Sequence, residues 1–222
     1  MPFFRKKSVV TEKRIVLPNV TWQKLEEILV ELGPDREVHL TYDEGKLELM
    51  TPLELHRRGD RLLESLLLVV ADEADETLTN LGSILLMDPE NDRAIQPFST
   101  YYLDHLPRPI TTRELDVTGI AAPDLAIELV IKPGTMNRLA IFETLGVREV
   151  WAYTLEEEKN SFRGVLSLWE LTDRGYRSVD SSVAFPFLSI SRIDQFITES
   201  ETLGLSQALT LLRSWCNESM KC

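Results

Sequence analysis

Cysteine, histidine and glycine are all scarce in this chain, and long apolar runs are missing. The two cysteines, Cys216 and Cys222, both fall at the C-terminal end. A bridge between them would staple almost nothing, and no CxxC spacing points to a metal, so they read as incidental thiols. The three histidines, His39, His56 and His105, nowhere pair at ligand spacing, which leaves a zinc site and a Ser-His-Asp triad without support. The ten glycines are scattered and form no phosphate-cradling loop, and a nucleotide-binding enzyme finds no support in the sequence. No stretch approaches the roughly 18–20 apolar residues of a membrane helix. The longest, Leu66 to Ala71, opens onto Asp72. The basic start, Met1 to Lys7, lacks the apolar segment and cleavage site of a signal peptide. The expectation is a cytoplasmic chain with no membrane partner.

Basic charge is in deficit as well: 24 Lys and Arg stand against 36 Asp and Glu, for a formal net charge of −12. Such a field does not attract phosphate, which argues against a protein that coats DNA. It leaves room for a metal-dependent nuclease, where carboxylates hold the cation. The local basic clusters, Arg5-Lys6-Lys7, Lys13-Arg14 and Arg57, Arg58, Arg61, read as a solvated tail and a solvated helix face.

What is present is an ordinary globular mixture, 43% hydrophobic and 27% charged over 222 residues, enough for one domain with a real core. Residues 1–13 read as a flexible arm and 14–222 as a single domain. Thr21 caps a helix over Trp22–Leu32, which Gly33-Pro34 ends. Val38–Tyr42 and Lys46–Met50, joined by Asp43-Glu44-Gly45, form a hairpin. After Pro52 the stripe Leu55, Leu62, Leu63, Leu66, Leu67, Val70, Ala74 predicts a long helix packed on a core. Strands are expected over Ser83–Met87 and Phe98–Leu103, then a proline-containing loop or insertion over 106–122. The clearest strand follows, over 124–131. A helix from Asn137 to Leu145 with Gly146 as its stop, strands over Arg148–Tyr153 and Val165–Leu171, and one or two helices over 190–216 complete an α/β fold with a central mixed sheet.

Two segments carry acids where chemistry could sit. Asp124 and Glu128 stand at the ends of the apolar strand and, spaced by four, face the same side. Four strand residues span roughly 13 Å, too far for both to hold one cation whose oxygens lie ~2.0–2.6 Å away. A metal site on Glu128 therefore needs an acid from a neighbouring strand. The competing readings are that Asp124 finishes a turn and that Glu128 pairs with an arginine. The second segment, Asp88-Pro-Glu90-Asn-Asp92-Arg93, reads as a solvated turn.

The order of motifs resembles the Uma-type restriction endonucleases, a bacterial family of the PD-(D/E)XK nuclease superfamily. The resemblance rests on Val20-Thr21-Trp22, on Leu40 through Pro52, on His56, Leu81-Gly82-Ser83, Tyr101-Tyr102-Leu103 and Pro123 through Glu128. It continues through Asn137 to Phe142, Leu145 to Trp151, Leu188-Ser189, Phe196, Ala208, Leu211-Leu212 and Trp215, nearly the whole chain. It implies a restriction-endonuclease-like core, metal-assisted phosphodiester hydrolysis with Mg²⁺ as cofactor, DNA as partner, and a homodimer, for which the apolar segment Leu203–Trp215 is the candidate surface.

Residue by residue, Glu128 matches the family's strand glutamate and Arg138 stands where relatives often carry lysine. The strand acid expected after a proline falls at Phe98. Leu55-His56 replaces the family's Glu-His, with Glu54 one place early. The strict lysine position is Val130, with Lys132 two residues on. The resemblance thus gives Glu128, Lys132, Arg138 and His56 as catalytic candidates, and Glu128 with Asp124 or Glu54 as metal candidates. Two functions stay open: a Mg²⁺-dependent DNA endonuclease with a divergent site, and a non-catalytic relative that uses the fold as a binding or dimerisation module.

Overall fold

The structure is a computed structural model that describes residues 4–5, 12–104, 106–107, 109–110, 112–131, 134–158 and 161–220. Among the described residues, two sheets and five helices build it. The first sheet takes the order β1 (Phe4–Arg5), β12 (Ser161–Thr172), β11 (Glu149–Glu158), β10 (Leu125–Val130), β8 (Ser99–Leu103), β5 (Leu78–Gly82), with β13 (Gly175–Val179) also paired to β12. The second runs β2 (Lys13–Leu17), β4 (Lys46–Thr51), β3 (His39–Asp43), β7 (Arg93–Ile95), β6 (Leu85–Asp88), β9 (Glu114–Asp116). Where one central sheet was expected there are thus two, each mixed: β10 runs parallel to β11 and antiparallel to β8, and β6 runs parallel to β9.

The helices end where short-range chemistry puts them. In α1 (Trp22–Leu32) the Thr21 hydroxyl accepts the Lys24 N–H at 3.2 Å, and Gly33, at φ 69°, ends the helix. In α3 (Arg138–Leu145) the Asn137 side chain accepts the Ala140 N–H, and Gly146 takes the left-handed turn at φ 76°. Asn137 is therefore a cap, and Arg138 opens the helix. α3 carries the chain from β10 to the parallel β11, as a parallel pair requires.

Strand β10 is inner and almost wholly buried. Its odd residues, Leu125, Ile127 and Leu129, join the core formed with α2 (Glu54–Glu73), α4 (Ile190–Thr202) and α5 (Leu205–Ser219). Ala126 joins the opposite core, with Ile141, Phe142 and Leu145 of α3 and residues of the second sheet. A third core packs α1 on β3, β4 and β6 through Leu25, Leu40, Tyr42 and Leu85. Of the apolar C-terminal segment, Trp215 packs on the main core, while Leu203, Leu205 and Leu211 stay exposed. Among the described residues no helix is long and apolar enough to cross a membrane.

The flexible arm expected over 1–13 falls mostly on residues outside those described. Of the rest, Phe4–Arg5 pairs with β12, Glu12 is buried and Lys13 begins β2.

On β12, Gly164 sits under the ring of Tyr153, where an added Cβ would coincide with ring atoms. Gly164→Ala is expected to lower stability by about 2 kcal/mol, the cost of forcing Tyr153 out of its buried position. Urea denaturation checks this, and an unchanged midpoint would contradict the packing.

Candidate functional site

Glu128 lies mid-way along the inner strand β10 and is 4% exposed. A buried, unpaired carboxylate is costly, and α3 supplies the partner. Its first residue, Arg138, donates from Nη2 to Glu128 Oε1 at 2.8 Å and from Nη1 to the Thr41 hydroxyl on β3 at 2.5 Å. Arg138 Nη1 also lies 4.0 Å from Oε1 of Glu48 on β4. One guanidinium therefore bridges the two sheets.

Glu48 is buried more deeply still, at 1%. It alternates with Leu47 and Leu49 along β4, and the neighbouring segments cover its face of the strand. Arg14 of β2, whose strand pairs with β4, bonds Glu48 and also Glu12. Arg14 is thus part of the interior and not a solvated tail. Gly134 closes over this pair: a Cβ there would meet Arg14 Nη1 at 2.5 Å and both Glu48 carboxylate oxygens at 3.1 Å.

Glu12 leads on to His56. The His56 Nδ1 accepts the Leu53 N–H at 2.9 Å, which leaves Nε2 as the ring donor, 3.3 Å from Glu12 Oε2. The His56 ring is fully buried and stacks on Phe98 with centroids 5.0 Å apart and planes 14° apart. His39 packs on the same phenylalanine at 4.4 Å. The backbone of Phe98 runs beside β10, and its ring joins the core of Ile127 and Leu129. Ser99 pairs with Ile127 in the β8–β10 ladder, and the Phe98 N–H bonds the Ile127 carbonyl at 2.9 Å. The position where the family resemblance expects an acid holds an aromatic ring packed on two imidazoles.

Burial raises the Glu128 carboxyl above the usual range, and Arg138 only partly opposes it. Burial also pushes Glu12 up, but its contacts with His56 and Arg14 outweigh that and hold it below the ordinary value. His39 is lowered to about 3 by burial, with Arg138 and His56 adding repulsion. Glu149 on β11 is a different kind of buried acid. It accepts from Trp151 Nε1, the Ser182 hydroxyl and the Val183 and Ala184 N–H groups, and so simply ties the 182–184 turn to the sheet.

Of the residues expected from sequence, the structure brings Glu128, Arg138 and His56 into one network. It does not bring Asp124 or Glu54 there. Asp124 precedes β10 and accepts the Leu103 N–H at 2.9 Å, a turn-closing role. The Glu54 side chain is 70% exposed and pairs with Arg61 at 2.7 Å. Lys132 lies outside the described residues. Glu12, Arg14, Glu48 and Thr41 complete the network and were not singled out by sequence reasoning, although Thr41 and Glu48 fall inside the block that resembles the family.

Mg²⁺, which the resemblance implies, takes near-octahedral oxygen ligands at about 2.0–2.1 Å. Here one oxygen of Glu128 is taken by Arg138 and one of Glu48 by Arg14, and Phe98 offers none. Among the described residues no group of three His, Cys, Asp or Glu is placed to hold a metal. The residues present do not fit the cation.

The fold is that of the restriction-endonuclease-like nucleases. The chain matches a solved structure titled a "putative nuclease belonging to DUF820" from Anabaena variabilis with a TM-score of 0.52 and 14% identity, over 80% of this chain and 99% of that one. Residues 22–187 match the Uma2 family model, described as "Putative restriction endonuclease", and the chain belongs to that family. No curated protein matches it.

Proposed function

We propose that this chain is a nuclease-family protein that does not cleave phosphodiesters and uses the fold as a binding module. The observation that supports this reading is Arg138, whose guanidinium occupies Glu128 and Thr41 while Phe98 stands where a second metal-holding acid would be. Metal-assisted hydrolysis needs a cation to polarise the phosphate and activate water. This centre sets Arg14 and Arg138 on the carboxylates of Glu12, Glu48 and Glu128, so a cation would compete with two partly exposed guanidiniums for them.

The test is plasmid nicking by the full chain with Mg²⁺ and with Mn²⁺, beside Glu128→Gln. The expected result is the same background for both proteins. Wild-type cleavage that Glu128→Gln abolishes would overturn the reading and restore the endonuclease. Phe98→Asp is the companion variant. It places a carboxylate at the position where the family resemblance expects an acid, and it is expected to bind Mn²⁺ by calorimetry where wild type does not.

A further inference from the structure

Next to the Glu128–Arg138 network, and sharing His39 and Phe98 with it, a cavity of about 410 Å³ is lined by Arg36, Arg57, Arg61 and Arg113 together with His39 and Gln96. Phe98 forms part of its wall. Four guanidiniums around one space are unusual in a chain of net charge −12. The volume lies in the range of roughly 300–1,000 Å³ that small-molecule sites occupy.

The polar groups of this cavity are unfinished. The Arg36 side chain is 1% exposed. Its Nη1 bonds Glu114 at 2.6 Å, yet its Nε and Nη2 are buried with no partner. Gln96, 3% exposed, leaves its Oε1 without a donor. Buried donors and acceptors normally find partners. Here two cationic donors, both on Arg36, and the Gln96 carbonyl oxygen lack them in residues that border one space. Arg57 and Arg113 are exposed and form no ion pair among the described residues, while Arg61 is held by Glu54. Three acids also line the cavity. Asp35 and Glu37 are exposed, and Asp60 accepts the Ser99 hydroxyl at 2.6 Å. None of Arg36, Arg57 or Arg113 bonds Glu128 or Glu48, so the charge here is not spent on that network.

We infer that this cavity binds a small phosphorylated molecule of about nucleotide size, its phosphate held by Arg36, Arg57 and Arg113 and a donor group by Gln96 Oε1. Arginine forks match phosphate oxygens in pairs, and the orphan Gln96 Oε1 suits a ligand that also carries an N–H or O–H group. The site needs no glycine-rich loop, because side chains and not a helix start supply the donors. It stands whether or not the neighbouring centre cleaves DNA.

Isothermal titration of the full chain with AMP, inorganic phosphate, adenosine and a short DNA duplex tests it. AMP should bind saturably, phosphate more weakly and adenosine not at all. Arg57→Ser and Arg113→Ser, both on exposed residues whose loss leaves the core intact, should each weaken AMP by about 10-fold, with Arg57→Lys recovering part. No saturable binding of AMP or phosphate at millimolar concentrations would overturn the inference, as would AMP binding that neither serine variant changes. Binding of the duplex alone would also overturn it, by assigning the arginines to a nucleic-acid groove.

Discussion

Arg138→Met is expected to destabilise the fold by about 3 kcal/mol, because it leaves Glu128 buried with no cationic partner. The loss should be nearly cancelled in the double variant Glu128→Gln, Arg138→Met, since replacing both members removes the stranded charge as well as the pair. The guanidinium is partly exposed, which keeps the figure below that of a fully dry pair. Denaturant titration of the wild type, both single variants and the double variant closes the cycle. A single-variant loss below about 0.5 kcal/mol, the scale of ordinary surface substitutions, would show that Arg138 does not support Glu128. Had Glu128 lacked a partner, its removal would have relieved the fold. Paired as it is at 2.8 Å, its removal instead strands Arg138.

Acidification from about pH 7 to about pH 4.5 should stabilise the protein through Asp60. Burial raises this carboxyl from its ordinary 3.8 to about 6, with the Ser99 hydrogen bond opposing and Glu64 adding repulsion. A carboxyl raised on folding is a cost wherever the folded form is ionised. That cost is fully present above about pH 6 and disappears as pH falls through 6 toward 3.8. At about 1.4 kcal/mol for each pH unit the full span is worth roughly 3 kcal/mol. Glu128 and Glu149, also raised by burial, act in the same direction. Glu12 acts the other way. Its value is depressed, so its contribution is present above the ordinary 4.5 and is lost as pH falls below that. Asp60→Asn isolates the term: the variant should be more stable than wild type at about pH 7 and equal to it near pH 4. Parallel stability curves for the two proteins would assign the pH dependence elsewhere.

Most helices and long strands were legible because their signals are local. Thr21 and Gly33 bracket α1, Asp43-Glu44-Gly45 turns β3 into β4, and the apolar run after Asp124 becomes β10. The second sheet was not legible. Its edge strand β2 lay partly in what reads as a tail, β7 and β9 are three residues each, and β6 pairs with β9 across a proline-containing loop. The site divides in the same way. Glu128 stood out because an acid inside an apolar strand is anomalous. Glu48, flanked by Leu47 and Leu49, had the pattern of an ordinary half-exposed strand, and only long-range pairing with β2 and the approach of Gly134 bury it. The substitution at Phe98 was visible against the family pattern, but its packing on His39 and His56 requires three distant segments to meet.

The bridge between the sheets also sets an order of events during synthesis. Thr41 and Arg138 are 97 residues apart, and chains emerge at about 5–20 residues per second. The hairpin bearing Thr41 and Glu48 is therefore made about 5–20 s before the arginine that joins it to Glu128. During that interval Arg14, from the start of the chain, is the guanidinium available to Glu48. The β2–β4 pairing that sets Arg14 on Glu48 thus lies wholly within chain made before the helix that completes the bridge.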